Sequence, residues 1–353
     1  MTITRLLAIS ALIGIVTPMT AVAQNQASQA SPPAAKPAPI TKTADGQPDM
    51  QGPWVFTHNI PHETPGAIPT RRRPGETAAE TGTSDVLQRG VTEARAARRG
   101  EQPAASEGGS FYADQRAVRD RKSLVLDPPS GVVPVRPETA KSLTFLFDHF
   151  YDSYVYWPSA SRCITRGVPH TQLAGGVDSA AQIVQGPGFV AIVYEFMHDT
   201  RIIPIDNSPH LPKNVKLWTG DARGHWEGNT LVVDVTNYND RGSVHNSAAT
   251  GHLQGLRQSE NLHVVERFTL ADRNTINYEV TIDDPANYTQ PWKAGVEMRR
   301  DPSYKLFEYA CTEGNYGEAV ALRAGRAQDK TIVVEPSATR RAAEEEMKKE
   351  LSK

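Results

Sequence analysis

The chain has 353 residues, with 38 Lys and Arg set against 40 Asp and Glu, for a net charge of -2. That balance gives no electrostatic pull toward nucleic acid or an anionic membrane. Beyond the N-terminus no apolar run approaches the roughly 20 residues of a transmembrane helix, so no integral membrane segment is expected in the mature chain.

The first 23 residues have the order of a secretory leader. Arg5 supplies the positive charge, Leu6 to Val16 a short apolar run, and Ala21-Val22-Ala23 a small-residue cleavage site. Gln24 would then begin the mature protein, in the periplasm or outside the cell. Residues 24–44 are mostly Ala, Pro, Ser and Gln, which suits a flexible linker with nothing to bury. A β-rich domain is expected over residues 45–330, followed by a charged tail, 331–353, in which Ala338 to Lys353 form a helix without an apolar face.

Trp54, Val55 and Phe56 read as the first strand. Residues 60–122, with the arginines Arg71 to Arg73 and many Gly, Pro and Glu, read as a partly disordered excursion, with a short helix over Asp85 to Arg99. Leu124 to Leu126 and Val132-Val133 are expected as short strands around a turn at Asp127 to Gly131. Pro137 suits a first helical position. Leu143, Leu146, Phe147 and Phe150 follow at helical spacing, so residues 137–152 are expected to form an amphipathic helix.

After Gly188 the pattern is β. Phe189 to Met197 and Arg201 to Ile205 are candidate strands. Gly228-Asn229 sits between two extended arms as a hairpin turn. Leu262 to Leu270 and Thr275 to Asp283 alternate around Ala271 to Asn274, and Trp292 to Arg300 with Tyr304 to Ala310 reads as a further pair. The fold class is therefore mainly β: an antiparallel meander closed as a lipocalin-like barrel or folded as a sandwich, with one or two peripheral helices.

The strong chemical fingerprints are absent: no P-loop, dinucleotide glycine motif, HExxH, GxSxG or paired CxxC occurs. No cofactor is expected. No histidine spacing puts two ligands on one face of one element, so no metal site is expected either. Candidates come from strand parity. Glu266 shares a face with Leu262, Val264, Phe268 and Leu270. A carboxylate there is paired, hydrogen-bonded or protonated, either as half of a structural Glu–Arg pair with Arg201 or another cation, or as a polar group in a ligand cavity. Glu195 shares a face with Phe189, Ala191, Val193 and Met197. Tyr194, Glu195, His198, Asp199 and Arg201 form the densest run of acid, base and donor groups, with His198 as a possible base or a hairpin-end histidine. In the connection 204–229, Asp221 and Arg223 are candidate ligand contacts that could equally pair with each other. Tyr278 completes the ligand-orienting set. Two cysteines, Cys163 and Cys311, are most simply a disulfide in an oxidising compartment, with two buried thiols as the alternative.

Several segments resemble a family of exported, β-rich bacterial proteins: ADGQPDMQGPW, DTRIIPIDNSPHLP, WTGDARGHWEGNTLVVDVTNYND, SENLHVVERFTLADRNTINYEVTIDDPANYTQPW and YACTEGNY. The resemblance covers residues 44–320 apart from 60–122. It implies export and a β-rich body, and its RCI and YAC segments fit the proposed disulfide. It brings no settled activity and no catalytic residues.

Three functions compete. One is a barrel binding a small amphipathic molecule, oriented by Tyr194, Arg201, Asp221, Arg223 and Tyr278. The second is a hydrolase, lyase or isomerase working without metal through Glu195, His198 and Glu266. The third is an envelope-associated protein whose arms, 24–44 and 60–122, contact a partner. Fold analogy alone does not choose among them.

Overall fold

The computed structural model describes residues 38–56, 58, 60, 62–63, 121–149, 152–174, 179–247 and 251–313, with scattered positions beyond. The expected leader 1–23, most of the linker, the helix over Asp85 to Arg99, the arginines 71–73 and the tail beyond residue 327, apart from Lys349, lie outside the described residues.

The strands in chain order are β1 (Gly52–Val55), β2 (Val125–Asp127), β3 (Ala180–Gly186), β4 (Phe189–Tyr194), β5 (Thr200–Pro204), β6 (Asp221–Glu227), β7 (Thr230–Thr236), β8 (Ser243–Ser247), β9 (Gly251–Arg257), β10 (His263–Asp272), β11 (Thr275–Asp283) and β12 (Trp292–Arg300). Two α-helices lie between β2 and β3: α1 (Pro137–Asp148) and the single turn α2 (His170–Leu173). No helix among the described residues is long and apolar enough to cross a membrane.

One antiparallel sheet carries the fold, in the order β5-β4-β3-β1-β12-β11-β10-β7-β6. β2 lies along the same edge of β12 as β1, and β8 and β9 pair as a separate ribbon. The meander has one interruption. The N-terminal strand β1 slots between β3 and β12, with Trp54 opposite Ala181 on one side and Arg300 on the other, and so joins the two runs of hairpins.

The sheet curls until its edge strands β5 and β6 nearly meet. Gly224 on β6 makes this approach possible: a methyl group there would stand 2.8 Å from Ile203 Cγ2 and 3.0 Å from Ile205 Cγ2. The result is a barrel closed along all but one seam. Strand alternation sends one face inward. Leu262, Val264, Glu266, Phe268 and Leu270 are all buried, as parity requires, and their neighbours His263, Val265, Arg267 and Thr269 are only partly covered. Large side chains fill the core among the described residues, including Trp54, Trp292, Tyr194, Tyr238, Phe268, Ile183 and Ile192, each fully buried.

Some expectations shift. β4 ends at Tyr194, where Glu195 turns helical (φ -65°, ψ -43°), so strand parity does not extend to Glu195 and Met197. Val132-Val133 form no strand beside β2, because Asp127-Pro128-Pro129 turns the chain away and Pro134 follows. Tyr304 to Ala310 form no strand; the segment crosses the β4–β5 turn instead. Residues 38–44 are docked, with Arg273 N–H donating to the Ala38 carbonyl at 3.1 Å. The helix starts at Pro137 as expected and ends at Asp148, with Leu143 and Leu146 buried. Cys163 and Cys311 form a disulfide with a Cα–Cα distance of 5.6 Å, within the usual span.

Candidate functional site

The innermost polar group of the barrel is an ion pair across its interior. β5 directs Arg201 and Ile203 inward and leaves Thr200 and Ile202 exposed. β10 directs Glu266 inward between Val264 and Phe268. Arg201 Nη1 donates to Glu266 Oε1 at 3.0 Å and Nη2 to Oε2 at 2.5 Å, a bidentate geometry that suits guanidinium and carboxylate. Tyr278 on β11 donates to Glu266 Oε1 at 3.0 Å. Arg201 also donates to the Tyr194 hydroxyl at 3.3 Å, and Gln172 of α2 donates to that same hydroxyl.

This network is dry. Glu266, Tyr194, Gln172 and Tyr238 are essentially inaccessible. Burial works against the charge on Arg201, but Glu266 and Tyr194 outweigh it and raise its pKa well above the usual value. Burial pushes the Tyr194 phenol up to about 12, so it remains an O–H group at neutral pH. Tyr238 and Tyr278 are also raised well above the ordinary value, first by burial and then by the Glu266 charge. The Tyr238 hydroxyl finds no hydrogen-bond partner among the described residues. It follows Asn237 after β7, beside Gly220. That glycine has φ +72°, and a methyl group on it would strike Tyr238 and the Thr236 carbonyl.

Tyr194 and Arg201 of the network also line a small surface cleft of about 60 Å³. Gly167, Val168 and Thr171 line it from the α2 side, Asp199, Thr200 and Arg201 from the start of β5, Tyr194 from the end of β4, and Thr219 from the loop before β6. A buried water needs roughly 10–15 Å³ and a drug-sized ligand roughly 300–1,000 Å³, so this cleft has room for a small polar group only. Its walls are well set. Thr171 donates to the Gly167 carbonyl at 2.8 Å, and Thr165 donates to Asp199 Oδ2 at 2.5 Å. Burial raises the Asp199 carboxyl above its ordinary value, partly offset by the Thr165 bond and the Arg166 charge.

Glu195 and His198 belong to a second arrangement. Glu195 Oε2 accepts from the Tyr304 hydroxyl at 2.6 Å and from Phe307 N–H at 3.0 Å. His198 Nε2 accepts from Tyr309 N–H at 3.1 Å. Met197 and His198 both have positive φ, 59° and 52°, which turns the chain sharply into β5. Arg166 stacks over Phe196 at 3.5 Å, and Phe196 packs on Tyr309. The strap over residues 304–311 is thus pinned to the β4–β5 turn at one end and to Cys163 by the disulfide at the other.

Asp221 and Arg223 sit in a third place, at the start of β6 itself and not in a loop; Asp221 is buried and Arg223 partly covered, and they do pair, at 2.7 Å. The pair extends into a relay. His210 Nδ1 meets Asp221 Oδ2 at 2.9 Å, its Nε2 meets Asp234 Oδ1 at 2.8 Å, and His263 Nε2 meets Asp234 Oδ2 at 2.7 Å. Burial pushes the Asp221 carboxyl up, but Leu211 N–H, His210 and Arg223 outweigh it and bring it below its usual value. The His263 bond holds the Asp234 carboxyl low, and Asp234 raises His263 in return.

The structure therefore brings together Tyr194, Arg201, Glu266 and Tyr278, places Glu195 and His198 under the strap, and sets Asp221 and Arg223 apart. Sequence reasoning missed Gln172, Tyr238, Thr219 and Asp234. Gln172 lies in a one-turn helix too short for periodicity, and Tyr238 and Thr219 lie in connections where parity has no meaning. Asp234 carried a readable signal: it lies opposite Val265, two residues along β10 from His263 and so on the same face. No protein-family model, curated protein or solved structure matches the chain.

Proposed function

We propose that this is an exported, barrel-like protein that binds a small amphipathic molecule by its polar end, at the cleft over Arg201 and Tyr194. The observation that carries the reading is the cleft itself, a polar recess floored by a fully buried charged network. Among the described residues large side chains pack the barrel interior, so the ligand sits in this surface cleft, unlike a lipocalin cargo held in the lumen. Exposed apolar side chains follow or precede cleft-lining residues closely in sequence: Ile202 directly after Arg201, and Leu217 two residues before Thr219. They are the candidates to meet an apolar tail that runs out over the surface.

Export is supported by the leader pattern in residues 1–23 and by the disulfide, which persists in oxidising compartments. Mass spectrometry of the exported protein is expected to begin at Gln24; an intact Met1 overturns it.

The binding test is native mass spectrometry with single-chain amphiphiles, run on the wild type and on Thr219→Trp, which fills the cleft. Binding to the wild type and loss in the variant, at equal melting temperature, support the reading. No binding, or binding indifferent to the variant, defeats it. One observation favours a second reading, a hydrolase, lyase or isomerase. Asp199 is a cleft carboxylate with a raised pKa, the property of a proton-transferring group. Chemical conversion of a bound amphiphile, abolished in Asp199→Asn, would select that reading.

A further inference from the structure

We infer that the polar end taken by the cleft is uncharged, a hydroxyl or carboxamide group, and that carboxylate and ammonium heads are rejected; this rests on the binding reading above. Charge and hydrogen-bond complementarity set this preference. Two charged side chains line the cleft, Arg201 and Asp199, and each is already compensated. Arg201 spends both terminal nitrogens on Glu266 in a bidentate pair, with one also reaching Tyr194. Asp199 takes the Thr165 hydroxyl at 2.5 Å and lies within the field of Arg166.

An arriving carboxylate would face the charge of Asp199, and the two cations near it among the described residues, Arg201 and Arg166, already face Glu266 and Asp199. An arriving ammonium would meet Asp199, but against the charges of Arg201 and Arg166. Either adds a charge to a site whose own charges are balanced, and a desolvated charge without a matched partner is costly. The groups that remain to recognise a ligand are neutral. Thr171 and Thr200 already donate to the Gly167 and His198 carbonyls, so their hydroxyl oxygens are left to accept; Thr219 also lines the recess, and Tyr194 keeps its phenol proton to donate. A hydroxyl or primary amide both donates and accepts, which matches walls made of hydroxyls and one carboxylate. The size agrees, since the recess holds a group of a few heavy atoms.

The experiment compares amphiphiles of one chain length bearing hydroxyl, carboxamide, carboxylate or ammonium heads, by native mass spectrometry and by calorimetric titration at neutral pH. The hydroxyl or carboxamide forms are expected to bind at least about tenfold more tightly than either charged form. Preference for a charged head overturns the inference while leaving the binding reading intact; no binding by any head overturns the binding reading itself. Two variants probe the cause. Asp199→Asn removes the negative wall and is expected to raise carboxylate binding relative to hydroxyl. Glu266→Gln leaves Arg201 uncompensated and is expected to move the preference further the same way. Should Glu266→Gln fail to fold, Asp199→Asn decides alone. An unchanged head preference in the folded variants overturns the charge-balance argument.

Discussion

Arg201 and Glu266 meet head to head inside the barrel, from strands on either side of the β5–β6 seam, with both carboxylate oxygens taken by the guanidinium. The side chains are 4 % and 0 % exposed, so water screens neither charge. Such a pair is held by mutual need. Its net contribution to stability is small, yet removing one partner leaves the other buried without compensation.

Glu266→Gln is therefore expected to destabilise the fold by about 3–5 kcal/mol, and Arg201→Met by a similar amount. The double variant Arg201→Met/Glu266→Gln is expected to recover most of the loss, because no isolated charge remains. Urea denaturation of the three variants measures this. A double variant as unstable as the sum of the singles would mean that the pair stabilises the fold outright.

Parity made Glu266 legible because β10 is long and alternates without a break. Parity leaves its role open between a structural pair with Arg201 or another cation and a group in a ligand cavity, and the structure shows the pair with Arg201; the hairpins at Gly228-Asn229 and at the β10–β11 turn are legible from extended or alternating arms on either side of turn residues. Glu195 was legible as a buried carboxylate for a reason the structure does not supply. The strand ends one residue earlier, and the groove that buries Glu195 is made by Tyr304 and Phe307, more than a hundred residues away. The cleft was illegible for a similar reason. Its walls come from the turn into α2, the facing ends of β4 and β5 and the loop before β6, and local patterns carry no information about which of these segments the fold brings together. The placement of β1 between β3 and β12 is likewise a long-range outcome that no local period encodes.

The Cys163–Cys311 bridge spans 148 residues and ties the strap to the loop that leads toward the cleft. In the chain-entropy model, closing a loop of this size stabilises the folded state by about 4–5 kcal/mol. Reduction, or Cys163→Ala/Cys311→Ala, is expected to lower stability by that order. Hydrogen exchange should rise first in residues 304–311. A reduced protein with unchanged denaturation midpoint would place the strap's stability in the Glu195 bonds alone.

The His210–Asp234–His263 relay makes stability depend on pH with a definite sign. His263 has a folded pKa above its ordinary 6.5, mainly through its Asp234 bond. Its contribution is complete below the unfolded value and is lost as pH rises through the folded one. Asp234 has a folded pKa below its ordinary 3.8, so its contribution is present above that value and is lost as pH falls through the folded one. The clamp is therefore strongest between these limits. Both side chains are about two-fifths exposed, so the effect is small and weakens in salt. Urea midpoints followed from mildly acidic to alkaline pH should fall more for the wild type than for His263→Asn. Parallel curves would remove His263 from the clamp.

The last prediction concerns the seam. β5 and β6 approach without a hydrogen-bonded ladder, and the space between them at Gly224 has no room for a side chain. Ile203 Cγ2 would lie 2.8 Å and Leu231 Cδ1 3.4 Å from a methyl group there. Ile203 is fully buried and belongs to the same core as Leu231, so neither can turn out to solvent. Gly224→Ala is expected to cost about 1–3 kcal/mol by overpacking, although Ala is otherwise the better strand residue in backbone entropy. Ile203→Ala removes the clashing methyl and leaves a cavity of its own, costing about 2–5 kcal/mol. Combined, the two should be less harmful than their sum, because each relieves the strain or void made by the other. Denaturation of the single and double variants gives the coupling directly. Strict additivity would mean that β5 and β6 move apart freely, and that the barrel is closed by its loops and not by this contact.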